Sequence, residues 1–313
     1  MVNSPLAAAL LSFESPALEA RYCAHRTATF FFAVDRYSAA YRAGAPLVIL
    51  GQRLLKPEGG GTALQYLMVS LASAFTTLSV MMAFFPGRWA VKWREPVTVF
   101  LRGTIVPATV LTCFLDWNRM PDPPSWISYI FVAFHTSGLS MTSIFPLAMP
   151  VLVKHHLPLH AAVFLLMVNA HVPRFCYMIS KRPDSHSYVL ASWRALSSCA
   201  WNFLNAMQLI DVREDTTPEV EAACGHMFTW LYIMVGLVVP TYVMWMLENQ
   251  SRAVFVEREI ARGSFVGSQM DRRWQALPGT VVFFHAMVVM LLAAVCWEGT
   301  VGYFIDRGDR MFV

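Results

Sequence analysis

Residues 62–85 read TALQYLMVSLASAFTTLSVMMAFF, with no charged side chain among them. About 20 apolar residues in a helix cross the hydrocarbon core of a bilayer. A soluble helix normally keeps one polar face for water, and this stretch has none. It predicts a transmembrane helix and restricts everything downstream to folds that a membrane accepts.

Composition extends that conclusion to the whole chain. Of its 313 residues, 56% are apolar and 14% charged, whereas a soluble domain carries about 25% charge. Six further windows are long and apolar enough to be spans: 97–115, 125–153, 157–179, 188–210, 227–247 and 277–297. The windows at 97–115, 157–179 and 188–210 are the least pure, since they hold Arg102, then His160, His171 and Arg174, then Arg194. The expected fold class is therefore all-α, a polytopic transmembrane helix bundle of seven spans, with six to eight as the range. Trp89, Trp117, Trp126, Trp230, Trp245, Trp274 and Trp297 fall near the window ends, as an interfacial aromatic belt requires.

The expected organisation is an N-terminal segment (1–61), a transmembrane helical domain (62–297) and a short C-terminal tail (298–313). With seven spans, the segments sharing a side with the N-terminus hold about twice as many Lys and Arg as the others, which predicts a cytoplasmic N-terminus. The opening stretch MVNSPLAAALLSFESP has no basic residue before its apolar part and reads poorly as a secretory signal. The net charge of +4 and the lack of any Lys/Arg-rich tract exclude nucleic acid as a partner. The bilayer is the one partner that composition names, and the location is an integral membrane of unassigned organelle. The six cysteines include no C-x-x-C pair, and neither a disulfide framework nor a zinc site is expected.

Asp35-Arg36-Tyr37 follows the apolar run TATFFFAV and resembles the tripeptide that ends the third helix of rhodopsin-like receptors. Only residues 1–34 precede it, too few for two earlier spans, and no Asn-Pro-x-x-Tyr closes the last span. The likeness carries no function. Phe30, Val34, Tyr37 and Tyr41 share one helical stripe beside Arg26, Arg36 and Arg42. That pattern suits a helix lying in the headgroup layer, or one packed on the ends of the spans.

Ionisable groups at membrane depth mark candidate sites. His135, His171 and His285 stand at similar expected depth on three spans. Imidazoles bind zinc, iron or copper, and three of them leave a coordination position open for water. Hydrolases of the progestin and adiponectin receptor type place His-x-x-x-His in the last span, where this chain has only His285. Arg174, Lys181, Arg182 and Arg194 converge on one end of the fourth and fifth windows and suit an anion or lipid headgroup. Asn202 and Asn205 are three residues apart on one face and suit a polar path. No Asp or Glu lies inside the windows, whereas Pro107, Pro146, Pro150, Pro173 and Pro240 do, and broken helices expose backbone groups to substrate.

Three functions follow. The favoured one is a carrier or channel for a small solute or lipid. The second is a lipid-directed enzyme built on the histidine trio, with a metal ion as its one cofactor; apart from that ion no cofactor is expected. The third is a non-catalytic scaffold acting through the 248–275 loop.

Overall fold

A computed structural model describes residues 11–13, 15–44, 47, 51, 62–113, 125–209, 218–262 and 279–305, and among these the secondary structure is entirely helical. Helix α1 covers residues 16–37 as Pro16–Arg26, a π-helical turn Thr27–Phe31 and Phe32–Tyr37. The remaining helices are α2 (Ala63–Phe84), α3 (Arg88–Cys113), α4 (Trp126–Thr136), α5 (Leu139–Ala148), α6 (Val153–Ser180), α7 (Pro183–Ala206), α8 (Val220–Ala261) and α9 (Gly279–Ile305).

Local chemistry sets the ends. The Ser15 side chain accepts the Leu18 N–H and Pro16 fills the first helical position of α1, where its missing N–H costs nothing. Thr62 and Gln65 form a reciprocal capping box at the start of α2, satisfying two orphan donors. Between α4 and α5 the chain bends by 73°. Gly138 sits at that break with φ 81°, a conformation open to glycine at no steric cost.

By length and apolar composition, five helices can cross a membrane: α2, α3, α6, α8 and α9. The bent pair α4–α5 makes a sixth if it counts as one span. Large apolar side chains on these helices point outward, including Ile127, Phe131, Phe284, Leu292 and Val295. An outer surface of this kind needs lipid around it, so the chain is a membrane-embedded helical protein.

The chain divides into two compact units. The first takes residues 1–113, 141–163 and 237–277; the second takes 114–140, 164–236 and 278–313. In the first unit α1 lies against α2, α3 and the last part of α8, with Phe32 packed among Met82, Ala83 and Ala90. Its buried face is Leu18, Tyr22, Arg26, Phe31, Phe32 and Asp35, whereas Tyr37 is 91% exposed. The stripe expected from Phe30, Val34, Tyr37 and Tyr41 is therefore not the buried face. The π turn at Thr27–Phe31 inserts one extra residue into the helical count and rotates everything after it.

In the second unit Cys176 and Cys224 form a disulfide, contrary to the expectation from spacing. They lie 48 residues apart in sequence, a pairing that no short motif announces. The Ser180 hydroxyl donates to Glu221 at 3.2 Å, so the end of α6 and the start of α8 meet. Residues 181–219 thus leave and return to one place. Helix α7, which corresponds to the expected span at 188–210, is not among the helices apolar enough to cross. Trp297, expected at the interface, is fully buried in this unit.

Candidate functional site

The first unit buries an unusual amount of charge. Asp35, Arg42 and Arg94 have 0% exposure. Arg94 grips Asp35 bidentately, Nε to Oδ2 at 2.9 Å and Nη2 to Oδ1 at 2.9 Å, while Arg42 Nη1 donates to Oδ1 at 2.8 Å. Arg94 Nη1 donates to the Pro150 carbonyl and Arg42 Nη2 to the Ser79 hydroxyl, while Arg42 Nε has no partner among the described residues. Of the Asp35-Arg36-Tyr37 tripeptide, only the aspartate is buried. One carboxylate here serves two guanidiniums.

A second ionic knot ties the start of α1 to α8. Arg252 Nη1 donates to Glu19 Oε2 at 2.7 Å and Nη2 to Glu248 Oε1 at 2.7 Å. Glu248 also accepts the Val153 N–H at 2.7 Å, and Lys154 Nζ reaches Glu19 at 3.0 Å. The Arg252 guanidinium lies over the Tyr22 ring at 4.1 Å. The first part of the expected 248–275 loop is thus the continuation of α8 as far as Ala261, with Arg252, Phe255, Val256 and Glu259 buried; residues 263–275 lie outside the described residues. Carboxylates also enter the spanning helices, since α3 begins early enough to include Glu95 and α8 ends late enough to include Glu248.

Burial alone would push the Glu19 carboxyl up, but the Arg252 contact, the Phe13 N–H and Lys154 outweigh it and hold it at about 2, below its ordinary 4.5. A carboxyl lowered on folding stabilises fully above about pH 4.5, and that stabilisation disappears as pH falls toward about 2. The stability gap between wild type and Glu19→Gln is therefore expected to be widest near neutral pH and to close on acidification. Thermal melts across that range measure it; a gap independent of pH would contradict the ion pair.

Arg102 differs from the other buried arginines. It lies in the π turn Leu101–Ile105 of α3 and is 5% exposed. Its Nη1 donates to the Met149 carbonyl at 3.2 Å and its Nη2 to His156 Nδ1 at 3.1 Å. No carboxylate pairs with it among the described residues. Arginine has no acceptor atom, so His156 Nδ1 must be the acceptor. The His156 proton then sits on Nε2 and is donated to Thr241 Oγ1 at 3.2 Å. His160, one turn further along α6, stacks on His156 with ring centroids 4.7 Å apart, and both are buried. The expected window at 157–179 holds His160 but not His156; α6 begins at Val153 and carries both as an i,i+4 pair.

A small cavity opens beside this group, lined by Arg102, Phe145, Pro146, Leu159, His160 and Val163, with room for about one water-sized guest. Gly103 keeps α3 close to α6 here, since a Cβ would come within 2.5 Å of Leu159 Cδ1. Proline supplies part of the wall because α5 contains Pro146 and ends just before Pro150.

The residues singled out from sequence lie in the second unit. His171 is buried and donates from Nε2 to the Thr136 carbonyl at 2.8 Å. His135 is partly exposed with its Nδ1 on the Phe131 carbonyl at 2.9 Å, and His285 sits on the outward-facing α9. Among the described residues no group of three His, Cys, Asp or Glu is arranged to hold a metal ion, so these three are not gathered. Arg174, Lys181 and Arg194 are exposed and Arg182 partly so. Lys181 lies 4.9 Å from the Tyr177 ring. Asn202 and Asn205 are exposed on α7 rather than lining an internal path. The second unit's buried polar centre is instead His226, whose Nδ1 accepts from Trp193 Nε1 at 2.9 Å. Its Nε2 reaches the Trp297 carbonyl at 3.1 Å and Thr300 Oγ1 at 3.0 Å.

In comparisons with protein families, curated proteins and solved structures, nothing matches this chain.

Proposed function

We propose that the protein is a multi-pass membrane carrier or channel for a small solute, and that its solute-binding groups lie in the first unit. The observation carrying this reading is a buried polar layer inside apolar helices. Arg102, His156, His160 and Thr241 come from helices otherwise fit to face lipid, and they meet beside a cavity and a proline-broken segment. Polar groups at that depth are costly and are kept where a substrate or ion uses them.

Six spans serve this reading better than seven. The contact of Ser180 with Glu221 and the Cys176–Cys224 link hold the end of α6 and the start of α8 together, whereas a crossing by α7 would set them about 30 Å apart. We further infer that this face is the oxidising one, since disulfides persist there and are reduced in the cytosol. Lys181 and Arg182 lie at that face and were among the cations favouring a cytoplasmic N-terminus, so the disulfide argues against that orientation.

Purified full-length protein in proteoliposomes is expected to release entrapped small solutes faster than protein-free vesicles, with the rate reduced by Val163→Phe, which fills the cavity. Equal release from protein-free and protein-containing vesicles, over a panel of small anions, cations and neutral solutes, would refute the transport reading.

A further inference from the structure

We propose that the cavity beside Arg102 is a binding site for a small monovalent anion, of the size of chloride, nitrate or formate. This names the substrate class for the carrier reading above and rests on it for any role in transport, but the binding itself is a separate claim.

The charge count carries it. Arg42, Arg94 and Arg102 are buried, and among the described residues the one carboxylate this group reaches is Asp35, which Arg42 and Arg94 occupy; the other buried acids, Glu248 and Glu259, pair with Arg252 and with Arg21 and Arg262. Glu95, the acid nearest to Arg94 and Arg102 in sequence, turns instead to the Leu152 N–H at 3.0 Å and to His155 at 3.2 Å. Arginine stays protonated in any protein environment, so Arg102 cannot shed its charge to suit its burial. An uncompensated buried ion is strongly destabilising. The Met149 carbonyl and His156 Nδ1 soften that cost with dipoles but supply no negative charge.

Geometry says where the missing charge goes. Arg102 has five N–H donors, and its described partners take one each on Nη1 and Nη2. Its side chain also lines the cavity, where His160 is the other ionisable group and the remaining wall is apolar. An apolar pocket with a fixed cation admits an anion and disfavours a cation, and the room for about one water excludes phosphate monoesters and lipid headgroups. His156 is held with Nδ1 toward Arg102, so it keeps the guanidinium in place instead of meeting the guest. The Gly103–Leu159 approach closes the cavity from one side.

The test is thermal stability of the detergent-purified full chain in sodium chloride, nitrate or formate against equal sodium gluconate, which is too large to enter. Wild type is expected to be stabilised by the three small anions in a saturable manner. Arg102→Lys should retain the response at weaker affinity, and Arg102→Gln should weaken it by about 10- to 100-fold, the worth of a hydrogen bond to a charged group. Val163→Phe, which leaves every charge in place, should abolish the response while melting cooperatively, so a folding defect in Arg102→Gln does not protect the idea. No saturable stabilisation of wild type, or the same response in wild type and Val163→Phe, overturns the site. Saturable binding without flux in vesicles keeps the site and refutes the carrier; flux together with no saturable stabilisation of wild type keeps the carrier and refutes the site.

Discussion

Asp35→Asn is expected to cost about 3–5 kcal/mol, the loss seen when one partner of a buried ionic group is removed. The substitution preserves shape and one acceptor oxygen. Among the described residues it removes the only negative charge that Arg42 and Arg94 touch, leaving two guanidiniums with 0% exposure. The large effect comes from the stranded cations rather than from the lost hydrogen bonds, which are worth about 1.5–3 kcal/mol each. A cycle separates the two. Asp35→Leu combined with Arg42→Met and Arg94→Met replaces the whole triad by apolar groups of similar bulk, and such replacements are often neutral or stabilising. The triple variant should therefore be more stable than Asp35→Asn alone, measured as the melting temperature of detergent-solubilised protein. If Asp35→Asn melts like wild type, water reaches the triad and α1 is not locked to α3 by it. The same triad positions Arg102, because Arg94 donates to Pro150 and Arg102 to the neighbouring Met149 carbonyl. Asp35→Asn is accordingly expected to weaken the anion response along with stability.

The membrane class was legible at once, because an uncharged run such as 62–85 has one physical interpretation. Span number was legible only to within one or two. Helix α7 carries enough apolar residues to look like a crossing but is not among the helices that length and composition mark as candidate spans, and the contact between Ser180 and Glu221, 41 residues apart, is one that no hydropathy window shows. Arg102 appeared in the sequence as a cation near a window end, where a long side chain reaching water is the ordinary outcome. Its burial depends on α3 extending back to Arg88 and on the π turn at Leu101–Ile105; neither is written in local hydropathy. His156 and His160 carried a usable signal, an i,i+4 pair at the head of an apolar run, which the intervening Pro158 obscured. Pro158 stands past the first turn, where proline gives up the hydrogen bond to the residue four before it, yet α6 runs through it. The histidine trio failed for the opposite reason: equal depth along three helices says nothing about which way each side chain faces. Asp35 was hidden inside a tripeptide whose likeness to receptors drew attention to its arginine, whereas the aspartate is the member that folds inward.

The disulfide gives the second large prediction. Closing a chain separation of 48 residues stabilises by about 2–4 kcal/mol, chiefly through the entropy of the unfolded chain. Cys176→Ala with Cys224→Ala should lower stability by that amount. Denatured wild type should take up four maleimides before reduction and six after, from Cys23, Cys113, Cys199 and Cys296 and then the bonded pair. Six adducts without reductant would remove the cross-link and the side assignment together. Sidedness has its own readout. With the four free cysteines replaced by alanine, Lys181→Cys and Glu219→Cys are both exposed positions flanking α7. Both should label with a membrane-impermeant maleimide from the oxidising face of sealed vesicles. Seven spans would put them on opposite faces. A cross-link between Cys176 and Cys224 cannot reach across a bilayer, since its Cα atoms are 5.6 Å apart and the hydrocarbon core is about 30 Å thick. Whichever face labels Lys181→Cys is therefore expected to label Glu219→Cys too, and one-sided labelling of this pair is the result that six spans require.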